Sequence, residues 1–220
     1  MPAGVLGDWL AAVGLPGVPD DLAAEHWYSA GLPLPLHPCV PPLGLGTVVG
    51  VKLVTAPVFN AVVAGSGSKA TLLTVGLLDL LAAVRKGGPA DQPVHVLCDK
   101  QGGRNFYAPL LQEAFPDGWV IAEKESAAES RYRVMNLGRE VVVTFRPRAD
   151  ADSVAVALAS MLAKYVREVC MRQFNAFWAT HVPGVKPTAG YPVDAKRFYA
   201  EIRPAMDRLG IPPEAVWRCR

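Results

Sequence analysis

Apolar residues recur along most of this chain with one of two spacings, so that strand-like and helix-like segments alternate. The strand-like segments are short, rich in valine and bounded by glycine, proline or asparagine, which is typical of β-strands. The helix-like segments are longer, and several follow a proline or a polar capping residue. The predicted strands are Thr47–Thr55, Val94–Asp99, Trp119–Glu123, Arg131–Met135 and Glu140–Phe145. The predicted helices are one that Pro57 opens, one from Ser68 to Arg85, Asn105–Phe115, a long one that Asp150 or Asp152 caps and that ends near Thr180, and Val193–Leu209.

The order of these elements predicts an α/β fold. Strands alternate with helices, a hairpin at Asn136-Leu137-Gly138 follows, and helices complete the chain, so we expect a mixed sheet flanked by helices. Residues 1–46 are poorly patterned and rich in proline, and such a run neither continues a helix nor pairs inside a sheet. We therefore interpret residues 1–46 as a covering loop or linker and residues 47–220 as the folded domain.

Composition narrows the class of protein without indicating a function. With 220 residues, of which 51% are hydrophobic, the chain is long enough for one ordinary core or a core with a small appendage. The net charge is only +2, but arginines cluster between Arg131 and Arg148 and again near the C-terminus. The ordinary interpretation of any one of them is a solvated surface residue. The four cysteines show no C-x-x-C pairing, and no apolar run has the length of a membrane span, so we expect reduced thiols in a soluble, cytoplasmic protein.

The segment Ala157–Met171 carries the first candidate residues. Helical spacing puts Ser160, Lys164, Glu168 and Met171 on one stripe of an otherwise apolar helix. The ordinary interpretation is a surface pair of Lys164 with Glu168, worth roughly 0.3–0.5 kcal/mol. Lysine before glutamate is the weaker order for such a pair, which favours a functional interpretation of Glu168.

Asp99 is the second candidate acid. It ends a predicted core strand and is followed by the turn Gly102-Gly103 and by Arg104, and ligand chemistry collects at the strand ends of open α/β sheets. The alternative is a turn residue that caps the next helix, which is an everyday role for aspartate. Two acids, one at a strand end and one on a helix, suggest a metal-dependent phosphodiester site.

The segment Leu158–Met171, LASMLAKYVREVCM, resembles the stretch A-[AS]-I-[IL]-A-K-x-x-R-D-x-x-M of type 2 ribonucleases H (ribonuclease HII). The match places Glu168 at the family's metal-binding helix aspartate, and Lys164 and Arg167 at the neighbouring basic positions. The strand end at Asp99 is similar to the V-D-G segment that carries the family's second metal-binding aspartate, which implies that role for Asp99.

Two shorter segments extend the resemblance over residues 47–220. Phe59-Asn60-Ala61 is similar to the family's L-N-I segment, and the loop around Tyr191 is similar to a K-G-Y-G loop whose tyrosine stacks at the ribonucleotide junction. The family's first strand carries D-E-A-G-R-G with further metal ligands, and nothing here matches it. The resemblance therefore implies a ribonuclease H-like mixed sheet flanked by helices, incomplete at its N-terminal strands, with an inserted helix and hairpin at about residues 105–146. Either the chain begins inside a longer protein or it is a divergent remnant.

The resemblance implies cleavage of RNA in RNA/DNA hybrids by metal-dependent phosphodiester hydrolysis, with Asp99 and Glu168 as ligands of Mg²⁺ or Mn²⁺. Two carboxylates are too few for a pair of ions, so we expect weak metal binding and little or no cleavage by this chain alone. Two alternatives stay open: a non-catalytic nucleic-acid-binding remnant, whose binding needs no Mg²⁺, and an unrelated α/β protein in which both acids are structural. The residues expected to bind substrate are Lys164, Arg167, Tyr191, Arg104 and Asn60.

Overall fold

The computed structural model of the protein describes residues 50–86 and 91–219. These residues belong to two compact units. The sheet unit consists of residues 70–86 and 91–163, and the helical unit consists of residues 50–69 and 164–219.

The described elements follow one another much as the sequence predicts. The α-helices are α1 (Ala56–Ser66), α2 (Lys69–Lys86), α3 (Ala108–Ala114), α4 (Ala149–Asp152), α5 (Val154–His181) and α6 (Pro192–Leu209). The strands are β1 (Val94–Asp99), β2 (Trp119–Glu125), β3 (Ser130–Met135) and β4 (Val141–Arg146), and a 3-10 helix covers Pro213–Ala215. The break between α1 and α2 falls at Gly67, whose φ of 67° ends α1 in the left-handed conformation that glycine adopts without strain.

The four strands form one mixed sheet in the order β1-β4-β3-β2. Strand β1 runs parallel to β4, with Asp99 opposite Arg146, while β3 runs antiparallel to β4 and to β2. The prediction of an α/β fold with a mixed sheet flanked by helices is confirmed. The segment 105–146 supplies three of these four strands, so in this fold it builds the sheet itself; its status as an insertion stays a prediction.

One face of the sheet packs on α2 and α3 to make the core of the sheet unit. Phe145 of β4 stacks on Tyr107, with ring centroids 3.7 Å apart and planes 3° from parallel. Tyr132 of β3 meets the same Phe145 ring edge-on at 6.4 Å. The remaining buried members of this core are Leu81, Leu110, Leu111, Ala114, Phe115, Val134, Val141 and Val143.

The prediction of a strand at Thr47–Thr55 is wrong for residues 50–55, the part of it that the structure describes. Residues 47–49 lie outside the described residues, as does the segment 1–46, and residues 50–55 have no regular structure. The carbonyl oxygen of Val54 accepts a hydrogen bond from the Arg218 guanidinium at 2.9 Å instead of joining a sheet. A valine-rich pattern predicts a strand only where backbone partners exist.

Two helix starts also differ from the prediction. The helix expected from Asn105 begins at Ala108, because Ser130 Oγ donates to the Asn105 carbonyl at 2.6 Å and Arg104 Nε donates to the Phe106 carbonyl at 3.2 Å. The long helix α5 follows the extended residue Ser153, whose hydroxyl accepts from the N–H of Val156 at 3.4 Å.

Asp150 and Asp152, the residues predicted to cap the long helix, instead lie inside the short helix α4. Local sequence alone favours aspartate and serine almost equally as caps. Which of these residues caps α5 therefore depends on where the chain turns after β4.

The core of the helical unit lies between α5 and α6. Trp178 of α5 is almost fully buried and contacts the rings of Phe174 and Phe177 edge-on. Phe198, Ile202, Ala205 and Met206 of α6 complete this core with Ile211. The prediction that Phe174, Phe177 and Trp178 are core residues at helical spacing is confirmed.

Within the described ranges, no single helix is long and apolar enough to cross a membrane. The broken pair α1 and α2 reaches that length and composition only when both helices are counted together.

Candidate functional site

Asp99 lies at the carboxyl end of β1, where its side chain is exposed. Its Oδ1 accepts a hydrogen bond from the backbone N–H of Ala149, 3.3 Å away, at the start of α4. Asp99 therefore has a capping role, as the ordinary interpretation proposed, but the helix that it caps is not the next one along the chain. Its role as a metal ligand stays a prediction.

A shallow groove of about 280 Å³ lies beside Asp99. Lys100 lines it, but its ammonium donates to Asn105 Oδ1 at 2.7 Å and to the Ser126 carbonyl, so it mainly fixes the loops that form the wall. Arg148 also lines the groove and adopts a left-handed backbone with φ of 55°, a conformation that costs a non-glycine residue about 1–2 kcal/mol. The groove thus presents one carboxylate among cationic and amide groups.

Arg104, expected to bind substrate, connects its own loop to α2 in the sheet unit. Its Nη1 donates to Thr74 Oγ1 at 3.1 Å, and its guanidinium lies 5.2 Å from the centroid of the Tyr107 ring. Together with the bond from Nε to the Phe106 carbonyl, these contacts use two of its five N–H donors. Its role in binding substrate stays a prediction.

The stripe of α5 that carries Lys164 and Glu168 is open to solvent, since the Glu168 side chain is 60% exposed. Glu168 Oε1 pairs with Nη1 of Arg167 at 2.7 Å, whereas no ion pair between Lys164 and Glu168 exists among the described residues. The carboxylate and the neighbouring guanidinium neutralise each other, and the Lys164 ammonium remains exposed.

Arg167 connects α5 to the loop that carries Tyr191. Its Nη2 donates to the carbonyl of Ala189, and its guanidinium lies 5.8 Å from the centroid of the Tyr191 ring. Gly190, between these two residues, has φ of 78°, which favours glycine there. The structure therefore brings together Arg167, Glu168 and Tyr191, three of the residues that the resemblance singled out.

The loop before Tyr191 is fastened by side chains that the sequence did not single out. The amide of Asn175 donates to the Thr188 carbonyl and accepts from the Thr188 N–H, both at 2.9 Å. Asp194 Oδ2 accepts from the Thr188 hydroxyl at 2.6 Å and from the Ala189 N–H at 2.9 Å. The Tyr191 side chain nevertheless remains 67% exposed. A rigid loop thus presents an aromatic ring to solvent.

Arg197 fastens the other side of this loop. Its guanidinium bonds Asp194 Oδ1 at 2.7 Å and the carbonyls of Lys186 and Pro187 at 3.1 and 3.2 Å. Asp194 stands in the first turn of α6, where acidic residues are favoured. That position was the only sequence signal for this network.

We expect the hydrogen bonds to Asp194 to be visible in its titration. The Thr188 hydroxyl, the Arg197 guanidinium and the Ala189 N–H lower the pKa of Asp194 from 3.8 to about 2. Because the folded pKa is depressed, the stabilisation is fully present above about pH 4 and is lost as the pH falls toward 2. Carboxyl NMR should give a midpoint near 2, which Thr188→Val raises toward 3.8. Thr180→Val, which removes a hydroxyl bonded to a helix carbonyl, should leave it unchanged; a midpoint near 3.8 in the unmodified protein would contradict the network.

Asn60, expected to bind substrate, is engaged with the C-terminal segment of the helical unit. Its Nδ2 donates to the carbonyls of Glu214 and Trp217, and its Oδ1 accepts from the N–H of Cys219. These three bonds use both N–H groups and the carbonyl oxygen of the amide. Direct contact of Asn60 with a substrate stays a prediction, and its observed role is structural.

Charge is unevenly divided between the two units. The described residues of the helical unit carry eleven Lys or Arg and five Asp or Glu, which gives a net charge of +6. Those of the sheet unit carry ten and eleven, which gives −1. The described residues therefore sum to +5, and the overall +2 is reached because residues 1–49 hold four acids and no Lys or Arg, while Arg220 adds one positive charge. Among the described residues, the basic excess lies in the helical unit, which favours that unit for attraction of polyanions.

Asp99 and Glu168 each lie beside basic side chains. In residues 50–86 and 91–219 no group of three or more His, Cys, Asp or Glu side chains is placed to hold a metal ion. Asp99 shares its groove with Lys100 and Arg148, and Glu168 is paired with Arg167. Mg²⁺ and Mn²⁺ prefer several oxygen ligands without competing cations.

Comparison of the chain with protein-family models, with curated proteins and with solved structures finds no match.

Proposed function

We propose that this protein binds nucleic acid through its helical unit, without cleaving it. Tyr191 stacks on a base, and Arg167 and Lys164 contact phosphates. The observation that carries the proposal is Tyr191, a residue that is two-thirds exposed although half-buried hydrogen bonds fasten its loop. Stacking of a base on such a ring contributes about 1–3 kcal/mol.

The exposed Tyr191 ring supports a binding role because the loop that carries it is held in place by hydrogen bonds. An exposed tyrosine on a mobile loop would lose conformational entropy on binding, whereas the loop before Tyr191 is already ordered by Asn175, Asp194 and Arg197. Preorganisation of this kind lowers the cost of association. The adjacent Arg167 guanidinium supplies a phosphate donor within reach of the same nucleotide.

The ligand expected first is an RNA/DNA hybrid. The resemblance to ribonuclease HII extends over residues 47–220, and two of the segments that carry it, Leu158–Met171 and the loop at Tyr191, lie partly or wholly in the helical unit. The net charge of +6 on the described residues of this unit supports binding to a phosphate backbone, and such binding weakens steeply with salt. Because Asp99 and Glu168 each lie beside basic side chains, we expect this binding without Mg²⁺.

Replacement of Tyr191 by alanine is expected to weaken binding of a fluorescent RNA/DNA hybrid by roughly 5- to 150-fold, which corresponds to the loss of one stacked base. Fluorescence anisotropy in EDTA at fixed salt measures the dissociation constant. The matched control is Trp119→Ala in the sheet unit, because the Trp119 side chain is also 67% exposed; its affinity should stay within about twofold.

Equal losses for the two variants would contradict an interface centred on Tyr191. Cleavage of the hybrid in Mg²⁺ that both Asp99→Asn and Glu168→Gln abolish would replace this proposal with the hydrolytic function. Cleavage that survives both substitutions would exclude the two acids as its metal ligands.

A further inference from the structure

The groove beside Asp99 has the position and the size of a site for a small polar molecule. It lies at the carboxyl ends of β1 and β4, the parallel pair of strands in the sheet, and ligands of open α/β sheets bind outside such strand ends. Its volume of about 280 Å³ is just below the usual range of small-molecule sites. None of the residues that line it is aromatic, so it offers no ring on which a base could stack.

Arg148 is held beside this groove in a backbone conformation that arginine avoids. The described non-glycine residues with a positive φ are Asn136 and Arg148, and asparagine adopts this conformation far more readily than arginine does. The turn is fixed because the next residue, Ala149, is fully buried and its N–H donates to Asp99 Oδ1 at 3.3 Å. Strained residues of this kind cluster at binding sites.

Arg148 and Asn105 supply the donors of the groove. Arg148 is exposed, and in the described part of the chain no acceptor pairs with its guanidinium. The Lys100 ammonium donates to Asn105 Oδ1 at 2.7 Å and so fixes the orientation of this amide. The Asn105 Nδ2 group has no partner within residues 50–86 and 91–219 and keeps both of its N–H groups for a ligand.

Asp99 supplies an acceptor, and Gly103 leaves room beside it. Asp99 Oδ1 bonds to the backbone at the start of α4, whereas Oδ2 has no partner among the residues that the structure describes and can accept from a hydroxyl group. The φ of Gly103 lies outside the left-handed region, and a Cβ placed there would meet no other atom within 4 Å. Neither backbone conformation nor packing requires glycine at this position, and its lack of a side chain lets a ligand approach the backbone closely.

We propose that this groove binds a small sugar phosphate, with Arg148 and the Asn105 amide on the phosphate and Asp99 on a sugar hydroxyl. Lys100 and Arg148 outnumber Asp99 in charge, so the groove attracts an anion. A guanidinium with free donors suits phosphate oxygens. A hydroxyl group that donates to Asp99 offsets the repulsion between this carboxylate and the phosphate, which favours a sugar phosphate over inorganic phosphate. This activity of the sheet unit goes beyond the proposed nucleic-acid binding and does not depend on it.

Titration of the full chain with ribose 5-phosphate in EDTA, followed by NMR of the amide groups, tests the site. The signals of Gly103, Arg148 and the Asn105 side chain should shift together. Ribose and inorganic phosphate each make only part of the contacts, so both should bind at least about tenfold more weakly, as expected for loss of a hydrogen bond to a charged group. The absence of shifts at the groove overturns the proposal.

Arg148→Asn tests the phosphate contact without disturbing the turn, because asparagine tolerates a positive φ. It should weaken binding of ribose 5-phosphate by at least about tenfold and should not lower thermal stability. Unchanged affinity, whether or not stability falls, overturns the role of Arg148. Arg148→Gly, which removes the charge and the strain together, gives the same decision if the asparagine variant does not fold. Arg172→Gln, which changes an exposed arginine of the helical unit, is the control and should leave the affinity unchanged.

Asp99→Asn tests the hydroxyl contact. The variant keeps an oxygen for the N–H of Ala149 but replaces the second oxygen by a donor. It also removes the repulsion of the phosphate, so inorganic phosphate should bind at least as tightly as it does to the unmodified protein. The preference for ribose 5-phosphate over inorganic phosphate should therefore fall by about tenfold. An unchanged preference overturns the assignment of a sugar hydroxyl to Asp99 and leaves a general anion site in its place.

Discussion

Replacement of Phe145 by alanine is expected to lower the free energy of unfolding of the sheet unit by about 3–5 kcal/mol. Phe145 lies on β4, which pairs with strands on both sides, and its ring is fully buried. Its loss removes a stacked partner of Tyr107 and an edge contact of Tyr132. Native-state amide exchange of β3 and β4 measures the effect unit by unit, because two units need not unfold in one step.

The effect is expected at the upper end because the cavity would open beside a hydrogen-bonded pair of tyrosines. The backbone N–H of Tyr107 donates to the Tyr132 hydroxyl at 2.8 Å, and the Tyr107 hydroxyl accepts from the N–H of Gln101 at 3.1 Å. Burial and the hydrogen bond to Glu125 raise the pKa of Tyr132 to about 12, so its hydroxyl stays protonated. Movement of either ring into the cavity would break these bonds.

The control is Ile121→Ala on the edge strand β2. The Ile121 side chain is 44% exposed, so its truncation should cost well under half as much as that of Phe145. A loss below about 1 kcal/mol for Phe145→Ala would contradict the stacked arrangement of this core.

The sequence predicts the bounds of an element well where the local pattern of apolar and turn residues is itself the reason that the element forms. Strand Val94–Asp99 has both predicted ends, because an apolar run between a proline and a glycine turn has little alternative to a strand. Thr47–Thr55 carries a similar valine pattern, yet residues 50–55 form no strand. Pairing requires a second segment, and local sequence does not reveal whether one is present.

The candidate site was predictable only in part. Resemblance at Leu158–Met171 and at Tyr191 named residues that the structure brings together around Arg167. The hydrogen bond from the N–H of Cys219 to Asn60 Oδ1 joins residues that are 159 positions apart in the chain. No local sequence pattern signals such a contact. No local pattern singles out Asn175 on α5 either, because its role comes from its hydrogen bonds to Thr188 in the following loop.

Asn175→Ala is expected to weaken hybrid binding about as much as Tyr191→Ala, although Asn175 is a positioning residue behind the loop. The substitution removes both hydrogen bonds to Thr188, a residue only 5% exposed. An unpaired buried N–H and carbonyl each cost about 1–3 kcal/mol, so the loop should leave this position and take Tyr191 with it. Anisotropy gives the affinity, and amide exchange of residues 186–191 should accelerate.

The double variant Asn175→Ala with Tyr191→Ala decides whether the two residues act together. If Asn175 acts only by presenting the ring, the double variant binds no more weakly than Tyr191→Ala alone, and the coupling energy equals the effect of Asn175→Ala. Additive losses would mean that the amide contributes to binding independently of the ring. Thr180→Val on the same helix, whose hydroxyl bonds only the Phe177 carbonyl among the described residues, should change neither affinity nor exchange. Non-additive losses together with faster amide exchange of the loop would mean that Tyr191 binds because the hydrogen bonds of Asn175 hold its loop in place. Affinity and exchange measured on the same variants thus test whether binding depends on the order of this loop.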